Sequence, residues 1–309
     1  MLHAKLGYLV FGVRHAARWH SFLGGMLGLA GPLENPDGSQ GYRLDGAVQR
    51  LVITRGADDI EALGLELPSA RDVTDLAASV AASGVAVTPA SETLRASRHV
   101  ERLVCFDDPA GNRVEVFVAL QSATSAFESQ LFPAGFTTGD LGIGHAGLIA
   151  RDLAKMERFY VDVLGFGVSE RLTSRVGPFT IRGLFLHCNR RHHSIALLDV
   201  PSRKRLHHFM LQAAALDDVG HAFERARRRR IPLSLGLGQH PHPDGTFSFY
   251  AESPSGFDFE IGASCGEIDP VQWVAANTTR GSSWGHAPTM RLKLKTVGAL
   301  LANQLSRHE

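Results

Sequence analysis

GYLVFGVRHAARWHSFLGGMLGL (residues 7–29) and GHAGLIARDLAKMERFYVDVLGF (144–166) align without a gap. Each reads as a short apolar strand, a stretch with helical spacing and a closing Leu-Gly pair, Leu27-Gly28 and Leu164-Gly165, where glycine suits a helix terminus. The chain therefore contains two related halves. A second unit recurs within each half. RLVITRGADDIEAL (50–63) and HHFMLQAAALDDVGHAF (207–223) both read as strand, acidic pair (Asp58-Asp59, Asp217-Asp218) and helix. Each unit then passes a Pro-x-Gly turn into a strand, in DPAGNRVEVF (108–117) and SPSGFDFEIG (253–262). A glutamate follows the proline by six residues in both, Glu115 after Pro109 and Glu260 after Pro254. Four modules, each of strand, helix and further strands, give an α+β fold.

Between the halves, QSATSAFESQLFPAGFTTGD (121–140) lacks periodicity and is rich in Ser, Thr and Gly, which marks a linker. The expected organisation is an N-terminal pair of modules over 1–122, a linker over 123–140, a C-terminal pair over 141–289 and a tail over 290–309. The later part of the tail has helical spacing and is expected to pack back on its own domain. Composition fits a globular protein: 309 residues, 44% hydrophobic and 20% charged. Lys and Arg number 32 against 31 Asp and Glu, so no overall basic field points to nucleic acid or an anionic membrane. The basic run Arg225–Arg230 reads as a helix end, where cations are favoured. Three cysteines without CxxC spacing support neither a disulfide framework nor a zinc knuckle. With neither a signal-peptide pattern nor an 18-residue apolar run, the expectation is a cytoplasmic protein.

Strand period selects among 15 histidines. In LGIGHAGLIA, Ile143, His145 and Gly147 share a face. In LHHFMLQ, Leu206, His208, Met210 and Gln212 do, with His207 opposite, and in FDFEIG, Glu260 lies opposite Phe259 and Ile261. A carboxylate in an apolar strand needs a cation or a partner, since burying it alone costs several kcal/mol, on the order of an unpaired ion's penalty. Two imidazoles and one carboxylate could form a facial triad of the non-haem Fe(II) type. Core histidines and a salt-bridged glutamate are the alternative. By the repeats, the N-terminal half carries Tyr8 for His145, Arg50 for His208 and Glu115 for Glu260.

With GHAGL, FLHCNRRHHS, HHFML and SFYAESPSGFDFEIG in this order, the chain from about residue 5 to 288 resembles the type I extradiol dioxygenases of the vicinal oxygen chelate superfamily. That resemblance implies four βαβββ modules in two domains, with a metal only in the C-terminal one. It implies His145, His208 and Glu260 as ligands of Fe(II), or of Mn(II), which the same set accepts. It further implies His193 as the acid-base residue, a task suited to an imidazole titrating near neutrality. Tyr250 would donate a hydrogen bond to a substrate oxygen, and a histidine in GQHPHPDGTFSFY would contact the substrate hydroxyl. His240 is favoured there over His242, in a loop one residue longer than the usual pattern. His187 and His192 are expected to be structural, as neighbours alternating away from His193 or packed beside Cys188. The implied reaction cleaves an aromatic vicinal diol beside its hydroxyls with O2, in a homo-oligomeric catabolic enzyme. A glyoxalase-like isomerase, a Mn(II)-dependent dioxygenase and a non-catalytic aromatic-binding protein are the rivals.

Overall fold

The computed structural model describes residues 1–176 and 179–293. The first module is strand β1 (Lys5–Val13), helix α1 (Ala16–Gly25), β2 (Ala30–Glu34), β3 (Gln40–Arg43) and β4 (Leu51–Arg55). The second is β5 (Asp59–Glu66), α2 (Ala70–Ala82), β6 (Thr88–Pro89), α3 (Glu92–Arg98), β7 (Arg102–Asp107) and β8 (Arg113–Val118). The third is β9 (His145–Ile149), α4 (Leu153–Arg158), which runs on into a π-helical turn over Phe159–Val163, β10 (Gly167–Val176), β11 (Phe179–His187) and β12 (Ile195–Asp199). The fourth is β13 (Leu206–Gln212), α5 (Leu216–Arg228), β14 (Leu233–Gln239), β15 (Phe247–Glu252) and β16 (Asp258–Ala263). Two short strands, β17 (Ala276–Thr278) and β18 (Trp284–Gly285), follow. The fold is thus the expected α+β arrangement of four βαβββ units.

One sheet runs β2-β3-β4-β1-β5-β8-β7-β6 and the other β17-β10-β11-β12-β9-β13-β16-β15-β14-β18. In each, the first strands of two modules lie antiparallel at the centre, β1 on β5 and β9 on β13. The helix-covered faces share one core. Phe11 lies 5.1 Å from Phe209 and 5.4 Å from Phe257, and Phe22 lies 4.9 Å from Phe259, ring to ring. Trp19 Nε1 donates to Ser255 Oγ at 2.9 Å across the same seam. The glycines that close the repeated motif adopt the left-handed conformation their position requires, with φ of 65° at Gly28 and 83° at Gly165.

Two readings of the sequence change. Residues 50–63 hold no helix. They form β4, a turn at the acidic pair and most of β5, and the helix begins only at Ala70. The aspartates misled because in the fourth module the acidic pair opens α5, whereas here Asp59 begins a strand and binds the backbone N–H of Arg205 and Leu206. The counterpart of His208 is consequently not Arg50. Gly147 pairs with His208 as Val10 pairs with Ala62, and Met210 pairs with Glu260 as Gly64 pairs with Glu115. Tyr8, Ala62 and Glu115 therefore occupy the places of His145, His208 and Glu260. Arg50 instead forms an ion pair with Asp45 at 2.8 Å.

Residues 270–288 form an edge-to-edge strap. β17 pairs with β10 at one margin of the second sheet and β18 with β14 at the other. The expectation for the tail falls largely on residues 294–309, which lie outside the described residues. No described helix is long and apolar enough to cross a membrane.

Candidate metal centre

His145 opens β9, His208 lies on β13 and Glu260 on β16, three adjacent strands of the second sheet. Residues paired across neighbouring strands face the same side. The pairs His145 with Met210 and Met210 with Glu260 therefore put the imidazole and the carboxylate on one face. Tyr250 on β15 pairs directly with Glu260 and extends the row. A glycine makes room for the second imidazole: a Cβ at Gly147 would lie 2.5 Å from His208 Cε1.

A bulge modifies the alternation expected on β13. Leu206 pairs with Leu148 and His208 with Gly147, two residues against one. Leu206 therefore turns into the core rather than sharing the face of His208. The extra residue, His207, is not opposite its neighbour but beside it, with Nδ1 2.8 Å from His208 Nδ1. Metal-bound histidines characteristically use the second ring nitrogen in such a bond, which fixes the tautomer. Burial pushes His207 down to about 4, so it is a neutral acceptor for the Nδ1–H of His208.

The donor atoms converge. His145 Nε2 is 2.9 Å from His208 Nε2 and 3.3 Å from Glu260 Oε2, and His208 Nε2 is 3.7 Å from the same oxygen. Adjacent corners of a coordination shell with bonds of about 2.1 Å lie roughly 3 Å apart, so the set matches one ion's reach. Glu260 is fully buried, and neither of its carboxylate oxygens has a hydrogen-bond partner among the described residues. Burial alone would raise its pKa, but His145 and His240 outweigh that and hold the carboxyl well below its ordinary range. Burial, with His207 and His145 nearby, pushes His208 far below the usual imidazole value. An ionised carboxylate beside the neutral imidazole of His208 suits a divalent cation, which binds the deprotonated forms of both.

The N-terminal half meets the same demand differently. Glu115 is buried like Glu260, but Arg98 Nε donates to its Oε2 at 2.8 Å and the Tyr8 hydroxyl donates at 2.7 Å. Around them Val10, Val52, Ala62, Leu103, Cys105 and Phe117 fill that face with a separate apolar cluster. One half thus satisfies its glutamate with a guanidinium, and the other leaves it facing the ring nitrogens of His145, His208 and His240.

His193 lies in the loop before β12, its ring 4.1 Å from that of His145 and 4.9 Å from Phe185. Burial, His145 and His192 push its pKa well below 6.5, so it rests neutral. His240 Nε2 lies 3.0 Å from the Tyr250 hydroxyl and 3.5 Å from Glu260 Oε1, while its Nδ1 donates to the carbonyl of Gly281 at 2.6 Å. Burial alone would lower His240, but Glu260 and Asp244 push it up to about 9. Burial and Glu260 raise Tyr250 far above 10, which keeps its hydroxyl protonated. His242 instead packs against the Gly245 turn.

Sequence reasoning passed over His286 and Asp244 and read His187 and His192 as structural. The ring of His286, in SSWGHAP (282–288), lies 4.6 Å from that of His240 and tilted 46° to it, and Ser282 and Ser248 hold its ring nitrogens. His192 is not turned away from His193, since their Nδ1 atoms lie 3.1 Å apart, and Asp244 completes that second cluster. His187 bonds Ser169 Oγ at 2.7 Å. No periodic signal marks His192, Asp244 and His286, because they sit in loops and in the strap, and His187 ends β11 with no further residue to carry the alternation.

Residues 142–261 match the family described as the Glyoxalase/Bleomycin resistance protein/Dioxygenase superfamily, and residues 6–56 match the first domain of dihydroxybiphenyl dioxygenases. The biphenyl-2,3-diol 1,2-dioxygenase of Paraburkholderia xenovorans is 39% identical over 290 residues, which cover 91% of this chain and 94% of that one. This chain belongs to the extradiol ring-cleaving dioxygenases. The iron-dependent extradiol dioxygenase of Rhodococcus jostii is 33% identical, with 91% of this chain and 96% of that one covered. A solved halotolerant catechol dioxygenase superposes on this dioxygenase with a TM-score of 0.86 at 32% identity, covering 95% of this chain and 97% of the other. As an extradiol dioxygenase it is an oxidoreductase, and its clustered His, His and Glu donors fit the metal dependence of the class.

Proposed function

We propose that this dioxygenase cleaves the ring of a catechol or 2,3-dihydroxybiphenyl-like diol, with Fe(II) held by His145, His208 and Glu260. The observation that carries the reading is the fully buried Glu260 carboxylate, without a hydrogen-bond partner, facing two imidazole nitrogens 2.9 Å apart. Iron is preferred because a relative at 33% identity is described as iron-dependent, and the two-histidine, one-carboxylate set is typical of non-haem Fe(II). When bound, the ion would take up the diol oxygens and O2, lower the hydroxyl pKa and pass electrons between the two substrates.

The protein side chains do the rest. Neutral His193, beside His145, takes a hydroxyl proton from the diol and returns it to an oxygen of the opening ring. Tyr250 stays protonated and donates to oxygen that gains negative charge. His240 keeps its orientation through Gly281 and presents Nε2–H to the same region. Phe185 forms an apolar wall beside His193, suited to an aromatic ring.

The test is oxygen uptake and visible absorbance of the anaerobically Fe(II)-loaded protein with catechol, 3-methylcatechol and 2,3-dihydroxybiphenyl, beside a His145→Ala control. A yellow ring-fission product that the control does not form is the expected result. One tightly bound metal with no turnover of any diol would overturn the substrate class, and absence of bound metal would overturn the ligand assignment.

A further inference from the structure

Away from the metal centre, a cavity of about 430 Å³ opens between the halves, lined by Gly24, Gly25 and Gly28 at the end of α1, by residues 128–131 of the connector and by Arg225 and Arg229 of the basic run. Glycine keeps it open. A Cβ at Gly24 would meet nothing within 4 Å, whereas one at Gly25 would strike Arg229 Nη2 at 2.6 Å, so the guanidinium of Arg229 lies directly against the helix end.

Arg225 is more than nine-tenths buried. Its Nε donates to the Met26 carbonyl at 2.9 Å, which satisfies the end of α1, and its guanidinium sits 5.0 Å from the Phe132 ring centroid. That capping bond accounts for one nitrogen only. Nη2 is buried without a hydrogen-bond partner among the described residues. Among the described residues neither Arg225 nor Arg229 has a carboxylate in ion-pair range. Glu128 lines the cavity, but it is exposed and makes no ion pair with either. Burial, followed by the like charges of Arg229 and Arg228, lowers the proton affinity of Arg225, and the more distant carboxylate of Asp218 offsets this only in part.

We propose that this cavity binds an organic oxyanion, a carboxylate or a phosphate ester, whose oxygens sit between Arg225 Nη2 and Arg229 while its carbon part lies on Leu29 and Leu131. A planar guanidinium pair suits a bidentate oxyanion. The volume exceeds what a bare inorganic ion needs and falls in the range of small-molecule sites. The occupant bridges α1, the connector and α5, and so fastens the two halves together.

Isothermal titration of the metal-loaded full-length protein with sodium benzoate and with sodium sulfate, each against sodium chloride at equal ionic strength, tests this. The variants are Arg229→Met and, as a control, Arg228→Met, whose side chain is mostly exposed. Saturable binding weakened at least about tenfold by Arg229→Met, and unchanged by Arg228→Met, is expected. Benzoate binding alone points to a carboxylate and sulfate binding alone to a phosphate ester. Binding that survives Arg229→Met, or that chloride reproduces, overturns the proposal. Circular dichroism and diol turnover of Arg229→Met establish that the variant is folded.

Discussion

The metal assignment rests on the premise that a glutamate at this place in the module cannot stay buried and ionised without a cation, and Arg98→Met tests that premise where the cation is part of the chain. The Arg98 and Glu115 side chains are 6% and 1% exposed, with Nε to Oε2 at 2.8 Å and Nη2 to Oε1 at 3.4 Å. Removing one partner of such a pair costs about 3–5 kcal/mol. Methionine keeps much of the apolar volume, so the loss is chiefly that of the charge. Two groups remain near Glu115: the Tyr8 hydroxyl at 2.7 Å and Arg113, 43% exposed, at 3.3 Å. They retain part of the stabilisation, which leaves an expected loss of about 3 kcal/mol. Adding Glu115→Gln removes the stranded charge and is expected to recover at least about 1 kcal/mol of it, a coupling typical of contacting residues. Urea unfolding, with metal content checked beforehand, measures both. A loss under about 1 kcal/mol in Arg98→Met, or a double variant no more stable than the single one, would refute the reasoning and remove the physical basis for a cation at Glu260.

Three further outcomes follow from the geometry. Gly147→Ala drives a methyl group to 2.5 Å from His208 Cε1, so metal titration should show affinity at least about tenfold weaker, the scale for disturbing a ligand's support, in a chain that still folds. Tyr250→Phe removes one hydrogen-bond donor near the reacting oxygens. It should lower kcat about 10²–10³-fold with full metal content, measured by stopped-flow absorbance on a catechol. Burial alone would raise Asp45, but its hydrogen bonds and ion pair with Arg50 hold its folded-state pKa below 3.8. Its contribution is therefore complete above the unfolded-state pKa of about 3.9 and fades as pH falls through the lower folded value. Asp45→Asn should cost about 2 kcal/mol at pH 7, and chemical unfolding at a series of pH values should show the gap closing below about pH 4.

The sequence by itself determined the four-module repeat and drew attention to His145, His208 and Glu260. Strand alternation and the Pro-x-Gly turns are local, so periodicity reports them, and an ionisable residue in an apolar strand stands out wherever it occurs. Alternation failed where a strand carries an extra residue. The bulge on β13 sends Leu206 into the core and sets His207 beside His208, because two residues there oppose one on β9. The acidic-pair alignment failed because the same dipeptide opens a helix in one module and a strand in another. Only the sheet registers could show that Ala62, not Arg50, stands in the place of His208. The placing of His240 by Gly281 and His286, the pairing of His192 with His193 and the guanidinium under Glu115 depend on segments far apart in the chain. Their contacts are fixed by packing rather than by any spacing along it, so the tertiary structure alone decided them.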